Sequence, residues 1–170
     1  HFGDPLDRNL TEDELLISYS SCQILPQDRT GEKNFELTSL ILDYNFDHFG
    51  LAETGRCWPL VVDDNRLPQR YRGHFLRKQL YCTTACNKDD KVSGSYQLGG
   101  TVLLSTGNLV GRIIGANKDT SGLGQRTWQR FRGQGKATNH IVTCYRPVSP
   151  NEGSGSMYAQ HLTYLSSINR

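Results

Sequence analysis

The chain has 170 residues, 36% hydrophobic and 21% charged, with 17 glycines, which suits one globular domain and no low-complexity or fibrous class. No apolar run approaches the roughly 18 residues that cross a bilayer as a helix, so a spanning helix is excluded. The net charge of +2 hides an asymmetry: residues 1–64 carry 13 acids against 4 bases, whereas 111–147 carry seven bases against Asp119 alone.

That basic stretch suits a polyanionic partner, although mixed, solvated faces account for it equally. Cys22, Cys57, Cys82, Cys86 and Cys144 form an odd, scattered set. Such a set argues against a disulfide framework and for a reducing, intracellular setting, cytoplasmic or nuclear. Cys82 and Cys86 have zinc-like spacing but no second Cys/His pair at finger distance, so free thiols in or near a core are the simpler reading. The sequence opens on His1, and its last residues still read as helix. We therefore expect a single incomplete domain over 1–170, truncated at the C-terminus, inactive and marginally stable by itself.

Residues 1–14 are acidic and polar, and read as a loop. Residues 15–21, "LLISYSS", form an apolar run without a breaker and predict a strand. "ILPQDRTGEKN" is a loop. Over 35–46, Leu37, Leu40, Ile41 and Tyr44 recur at helical spacing and predict an amphipathic helix. "DHFGLAET" (47–54) is a second short strand. A strand, a helix and a strand within some 40 residues make a βαβ unit, so the two strands are expected to be parallel neighbours.

Residues 55–97 show little periodicity. A short helix near 70–81 and a surface turn at "NKDDKVSGS" are expected. "GTVLLS" (100–105) predicts a strand, and the "TGN" turn predicts a hairpin into a strand over 109–119. "SGLGQ" is a turn. In 126–133, Thr127, Gln129 and Phe131 alternate with Trp128, Arg130 and Arg132, the pattern of a strand with one buried face. "HIVTCYRP" (140–147) is an apolar strand stopped by proline. The span 100–147 thus reads as an antiparallel meander. Tyr158, Leu162, Leu165 and Ile168 mark a final helix over 157–170, with Ser156 as its N-cap. The class is α+β, with helices covering an outer sheet face.

Two strand ends carry chemistry. Glu53 closes the second strand, where loops form a crevice and a carboxylate can hold a hard divalent cation. The plain alternative is a glutamate that has reached solvent. Tyr145 and Arg146 close the last strand, offering a phenol and a planar guanidinium that suit a phosphate. The alternative is a core-capping tyrosine and a surface arginine. Arg126, Arg130, Arg132 and Lys136, interleaved with aromatics, fit nucleic-acid contact.

In order and spacing, "ISYSSCQ", "FGLAETG", "LGGTVLLS", "GLGQRTWQRFRG" and "HIVTCYRP" resemble the endonuclease/exonuclease/phosphatase superfamily, over about residues 14–168. The members most similar are deoxyribonuclease I-like and apurinic/apyrimidinic endonuclease-like proteins, and above all retrotransposon-type endonuclease domains. The resemblance implies a four-layer α/β sandwich of two mixed sheets packed face to face with helices outside. It implies Mg²⁺- (or Mn²⁺-) dependent hydrolysis of phosphodiesters in DNA, with Glu53 on the metal, Tyr145 on the scissile phosphate and Arg146 beside it. Ser20 and Cys22 stand where the family has asparagine and a following aspartate or asparagine, and its "GDFN"- and "SDH"-type motifs are absent. Two alternatives therefore stay open: a catalytically degenerate nucleic-acid- or protein-binding module, and a phosphatase of lipid or inositol phosphates.

Overall fold

The computed structural model describes residues 14–25, 31–71, 73–75, 79–87, 96–97, 99–145 and 163. Strand β1 (Ile17–Ser21) leads into helix α1 (Glu32–Tyr44) and strand β2 (His48–Ala52). β1 and β2 are parallel, with Ile17 opposite His48 and Ser21 opposite Ala52, which bears out the βαβ expectation. The helix ends where Asn45 takes a left-handed conformation, φ 48°, and its N–H reaches back to the last turn.

α1 uses half of the predicted stripe: Ile41 is buried in the core and Leu37 packs against it, while Leu40 and Tyr44 face outward and Asn34 and Thr38 are buried instead. The polar members are held in place. Arg70 Nη1 donates to Asn34 Oδ1 at 2.9 Å, and Thr38 Oγ1 donates to the Asn34 carbonyl at 2.7 Å.

After two short 3₁₀ turns, Trp58–Leu60 and Asp63–Asn65, comes a one-turn helix α2 (Leu67–Arg70). Within the span 70–81, where a short helix was expected, α2 stops at Arg70 and Leu80 already belongs to strand β3 (Leu80–Ala85), while residues 72 and 76–78 lie outside the described residues. Strand β4 (Thr101–Thr106) follows. The expected hairpin after it is also replaced. Residues Gly107–Arg112 are a 3₁₀ segment, and strand β5 is only Ile113–Lys118. Strands β6 (Arg126–Arg132) and β7 (Thr138–Cys144) complete the set.

These strands build two sheets. One is mixed, in the order β1-β2-β4-β3; the other is antiparallel, β5-β6-β7. The meander is thus confined to β5–β7, and among the described residues the second sheet is antiparallel rather than mixed. β4 belongs to the first sheet because all six of its residues are buried, one face on each side of the sheet. A strand in that position cannot also be the exposed arm of a local hairpin. Of the C-terminal helix, only Thr163 is described; it is helical and exposed.

The fold is an α+β sandwich. Phe49 and Leu51 of β2, with Val102 and Leu104 of β4, pack against Ile41, Trp58, Val61, Leu67 and Tyr71 in an apolar core under the helices. The opposite faces of these strands look onto the second sheet, and there the contact is largely polar. His48, Thr83, Thr101 and Ser105 meet Thr127, Gln129, Phe131 and Thr143. Ser105 Oγ donates to Gln129 Oε1 at 2.5 Å, and Gln129 Nε2 donates to Thr83 Oγ1 at 3.0 Å. Since a carboxamide oxygen only accepts, the Ser105 hydrogen is committed, and His48 Nδ1 is the donor of the 2.7 Å bond to Ser105. The alternation read in β6 holds: Thr127, Gln129 and Phe131 are inside and Trp128 lies outside, stacked on His140 at 6.0 Å.

The sheets can approach this closely because β2 carries Gly50. A Cβ there would collide with the Thr143 hydroxyl of β7.

Candidate functional site

The C-terminal ends of β1, β2 and β7 converge on one cleft of about 260 Å³, walled by Gln23, Ile24, Glu53, Gln97, Gly99 and Tyr145. Tyr19 and Ser21 are on the face of β1 that looks toward the second sheet. The Tyr19 hydroxyl donates to the Cys144 carbonyl at 3.2 Å and ties β1 to β7. The Ser21 hydroxyl donates to Glu53 Oε2. The Tyr145 phenol lies against the same carboxylate. Thus a glutamate from one sheet and a tyrosine from the other, 92 positions apart in sequence, meet at a single point.

The backbone pays for this arrangement. Gln23, Ile24 and Glu53 all have φ in the left-handed region, at 42°, 73° and 55°. Each costs an L-residue roughly 1–2 kcal/mol, and a β-branched isoleucine rarely tolerates it. Three such residues in one cleft wall mark a site where geometry is set by the surroundings rather than by local preference. The surroundings are ladder bonds that continue past the strand ends: Ile24 N–H to the Glu53 carbonyl at 2.8 Å and Leu25 N–H to the Thr54 carbonyl at 2.9 Å. On the other side, Gly55 N–H bonds the Gly99 carbonyl at 2.8 Å. Gly100, with φ 89°, lies so close to Thr54 that any Cβ would strike its hydroxyl.

Burial raises the Tyr145 pKa above its ordinary value, and the charge and hydrogen bonding of Glu53 raise it further, with a contribution from Tyr19. Tyr19 is raised too, by burial first and then by Glu53. Both phenols are therefore proton donors throughout the physiological range. Gln97 Oε1 in the cleft wall is buried without a hydrogen-bond partner among the described residues.

Of the residues singled out in sequence, Glu53 and Tyr145 come together here. Arg126 starts β6 opposite Cys144, beside Tyr145 and at the same end of the sheet. Arg130 and Arg132 point outward farther along β6, and Arg132 is about 20 Å from the cleft end at strand rise. Lys136 is exposed in the β6–β7 turn beyond them. Arg146 lies outside the described residues. Asp119, the acid in the basic stretch, is not a cleft residue. It is buried and accepts from the N–H groups of Gln125 at 2.7 Å and Arg126 at 3.0 Å, holding the glycine turn.

On β1 the side chain bonded to Glu53 is that of Ser21, and Ser20 alternates to the other face of the strand. Ser21, which the sequence reading passed over, is the residue at the carboxylate. Period-2 alternation was the available signal, since Tyr19 and Ser21 share a face and Ser20 does not. Cys22 is turned away as well: buried, with Sγ donating to the Ala52 carbonyl at 3.1 Å and its thiol pushed up to about 12 by burial.

The described cleft walls offer oxygen atoms and no thiol or imidazole, a set that suits a hard cation better than a thiophilic one. Among the described residues, no group of three or more His, Cys, Asp or Glu side chains is placed to hold a metal. Among the described residues Glu53 is the carboxylate in the cleft wall.

No family model matches the chain, and no curated protein matches it. No helix among the described residues is long and apolar enough to cross a membrane.

Proposed function

We propose that this chain is a Mg²⁺-dependent phosphodiesterase domain of the endonuclease/exonuclease/phosphatase kind, acting on DNA. The observation that supports the reading is the meeting of Glu53 and Tyr145 in one cleft, from strand ends in different sheets. On this reading the two sheets and α1 belong to a four-layer sandwich. Glu53 would hold the cation, which supplies charge neutralisation at the phosphate oxygens and a more acidic water when bound.

The chain's own residues do the rest. Ser21 fixes the Glu53 carboxylate by donating to one of its oxygens. Tyr145, kept protonated, donates from its phenol to a non-bridging phosphate oxygen and orients it. Arg126 sits at the cleft end to meet the next phosphate, and Arg130, Arg132 and Lys136 trace a longer polyanion past the site. The cleft holds no histidine among its described residues, so a water-activating base comes from elsewhere in the protein on this reading.

A second reading has an observation in its favour. At the β1 end, Ser21 is occupied by Glu53 and Cys22 is buried, so neither stands as a second metal ligand. A nucleic-acid-binding module without catalysis would look the same. Plasmid nicking separates the two. The protein carrying this sequence is expected to relax supercoiled DNA in Mg²⁺, to stop in EDTA and to release no phosphate from inositol lipids. Steeply salt-dependent DNA binding with no cleavage in Mg²⁺ or Mn²⁺ would leave the binding module. Phosphate release from the lipids without nicking would move the substrate class.

A further inference from the structure

We propose that a second cleft, beside the ends of β3 and β5, is an anion site that takes a phosphate group. It encloses about 350 Å³ and is walled by Trp58, Arg66, Thr84 and Lys118, with Pro59 and Cys86. Two cations, a hydroxyl and an indole thus share one cleft, and among the described residues no carboxylate lines it. The deciding group is the indole. Trp58 is only 5% exposed, and its Nε1 is buried with no hydrogen-bond partner among the described residues. An indole N–H can only donate, and a buried donor without an acceptor is costly. An oxyanion in the cleft supplies the missing acceptor.

The cations suit the same ligand. Arg66 Nε donates to the Val61 carbonyl at 3.2 Å, and Nη1 pairs with Asp63 at 2.9 Å. Those bonds orient the guanidinium and leave Nη2 unused. Asp63 is 79% exposed, so water screens its charge. Lys118 ends β5, and its ammonium is in no ion pair among the described residues. A planar fork, a point charge and neutral donors around one cleft match the chemistry of a phosphate.

β3 and β5 are the outer strands of their sheets, on the side away from β1 and β7. Ala85 stands opposite Thr101 and Thr101 opposite Ala52, while Lys118 stands opposite Thr127 and Thr127 opposite Thr143. The second cleft therefore shares the end of the sandwich that carries Glu53 and Tyr145. Two strand spacings, about 10 Å, separate the two corners. The phosphate can come from a nucleic-acid strand that also crosses the Glu53 cleft, or from a free phosphate ester. The donor set is the same for both, and it does not depend on the reading of Glu53.

Indole N–H NMR of the ¹⁵N-labelled chain tests the site, because Trp58 and Trp128 are its two tryptophans and Trp128→Phe assigns the Trp58 peak. Titration with inorganic phosphate in EDTA, at constant ionic strength, is expected to move the Trp58 peak downfield and to leave Trp128 in place. Lys118→Glu, at an exposed strand end, is expected to weaken that response about tenfold or more. Glu53→Gln is expected to leave it unchanged, which separates this site from the Glu53 cleft. A short single-stranded oligodeoxynucleotide then names the source. A Trp58 shift that Lys118→Glu weakens supports a strand phosphate; a shift with inorganic phosphate alone supports a free ester. A Trp58 peak that moves with neither ligand, or as readily in Lys118→Glu, overturns the proposal whatever happens at Glu53.

Discussion

Glu53→Gln is expected to reduce divalent-dependent cleavage by at least about a hundredfold, the scale on which disturbing a metal's ligand set acts, while the chain stays folded. The substitution is nearly isosteric. The Gln carbonyl oxygen still accepts from Ser21 or Tyr145, so the strand ends keep their tie and thermal unfolding moves little. What disappears is charge, and that has a second readout. The Tyr145 phenol is raised partly by Glu53, after burial, so neutralising Glu53 shifts its ionisation downward. Absorbance titration, with Tyr145→Phe identifying the transition, measures this without any substrate. A lower Tyr145 transition with full cleavage would keep the geometry and remove the metal role. An unchanged transition would contradict the geometry itself.

His48 is expected to make stability fall as the solution is acidified, well before the carboxylates titrate. Burial lowers its pKa from 6.5 to about 4. Among the described residues no counter-charge faces it: Ser105 accepts from Nδ1, Phe131 meets the ring edge-on at 5.7 Å, and Nε2 has no partner. The folded state therefore refuses a proton that the unfolded chain accepts. Between about pH 6.5 and 4 the unfolded state binds more protons, and stability rises with pH across that window. The stabilisation is complete above 6.5 and is lost progressively on the way to 4. The full span amounts to about 3 kcal/mol. Urea unfolding at pH 4 to 7 checks it. His48→Asn keeps a donor for Ser105 and cannot titrate, so its midpoint is expected to be much flatter over the same range. An equal pH slope in the variant would place the acid sensitivity elsewhere.

Much of the first half was legible because its signals are local. The β1-α1-β2 unit follows from two apolar runs around a helical period, and short-range sterics fix its handedness and parallel pairing. The inner face of β6 was legible for the same reason, since Thr127, Gln129 and Phe131 alternate with charged or aromatic neighbours. β3 was not, because five of its six residues are only partly buried or exposed, so no clean alternation is written in "LYCTTA". The partition of β4 and β5 into different sheets was also hidden. A "TGN" turn is compatible with a hairpin, and only the burial of both faces of β4 rules it out. Glu53 and Tyr145 were each visible as polar residues ending apolar strands. Their meeting was not, because it depends on the distance between two sheets, and that is set by Gly50 and by the polar layer. Ser21 was missed by one residue, the smallest error that reverses which face a strand residue occupies.

The layer between the sheets carries one more consequence. Hydration of exposed apolar surface raises the heat capacity of unfolding by about 0.45 cal/K/mol per Å², whereas exposed polar surface lowers it by about 0.26. A sandwich joined through His48, Ser105, Gln129 and a set of threonines releases polar surface where most sandwiches release aliphatic surface. Its calorimetric heat-capacity increment is expected to fall below the usual 12–15 cal/mol/K per residue. The stability curve is then broad and shallow, with little loss on cooling, and the temperature of greatest stability is set more by hydrogen bonds than by the expulsion of water from oil.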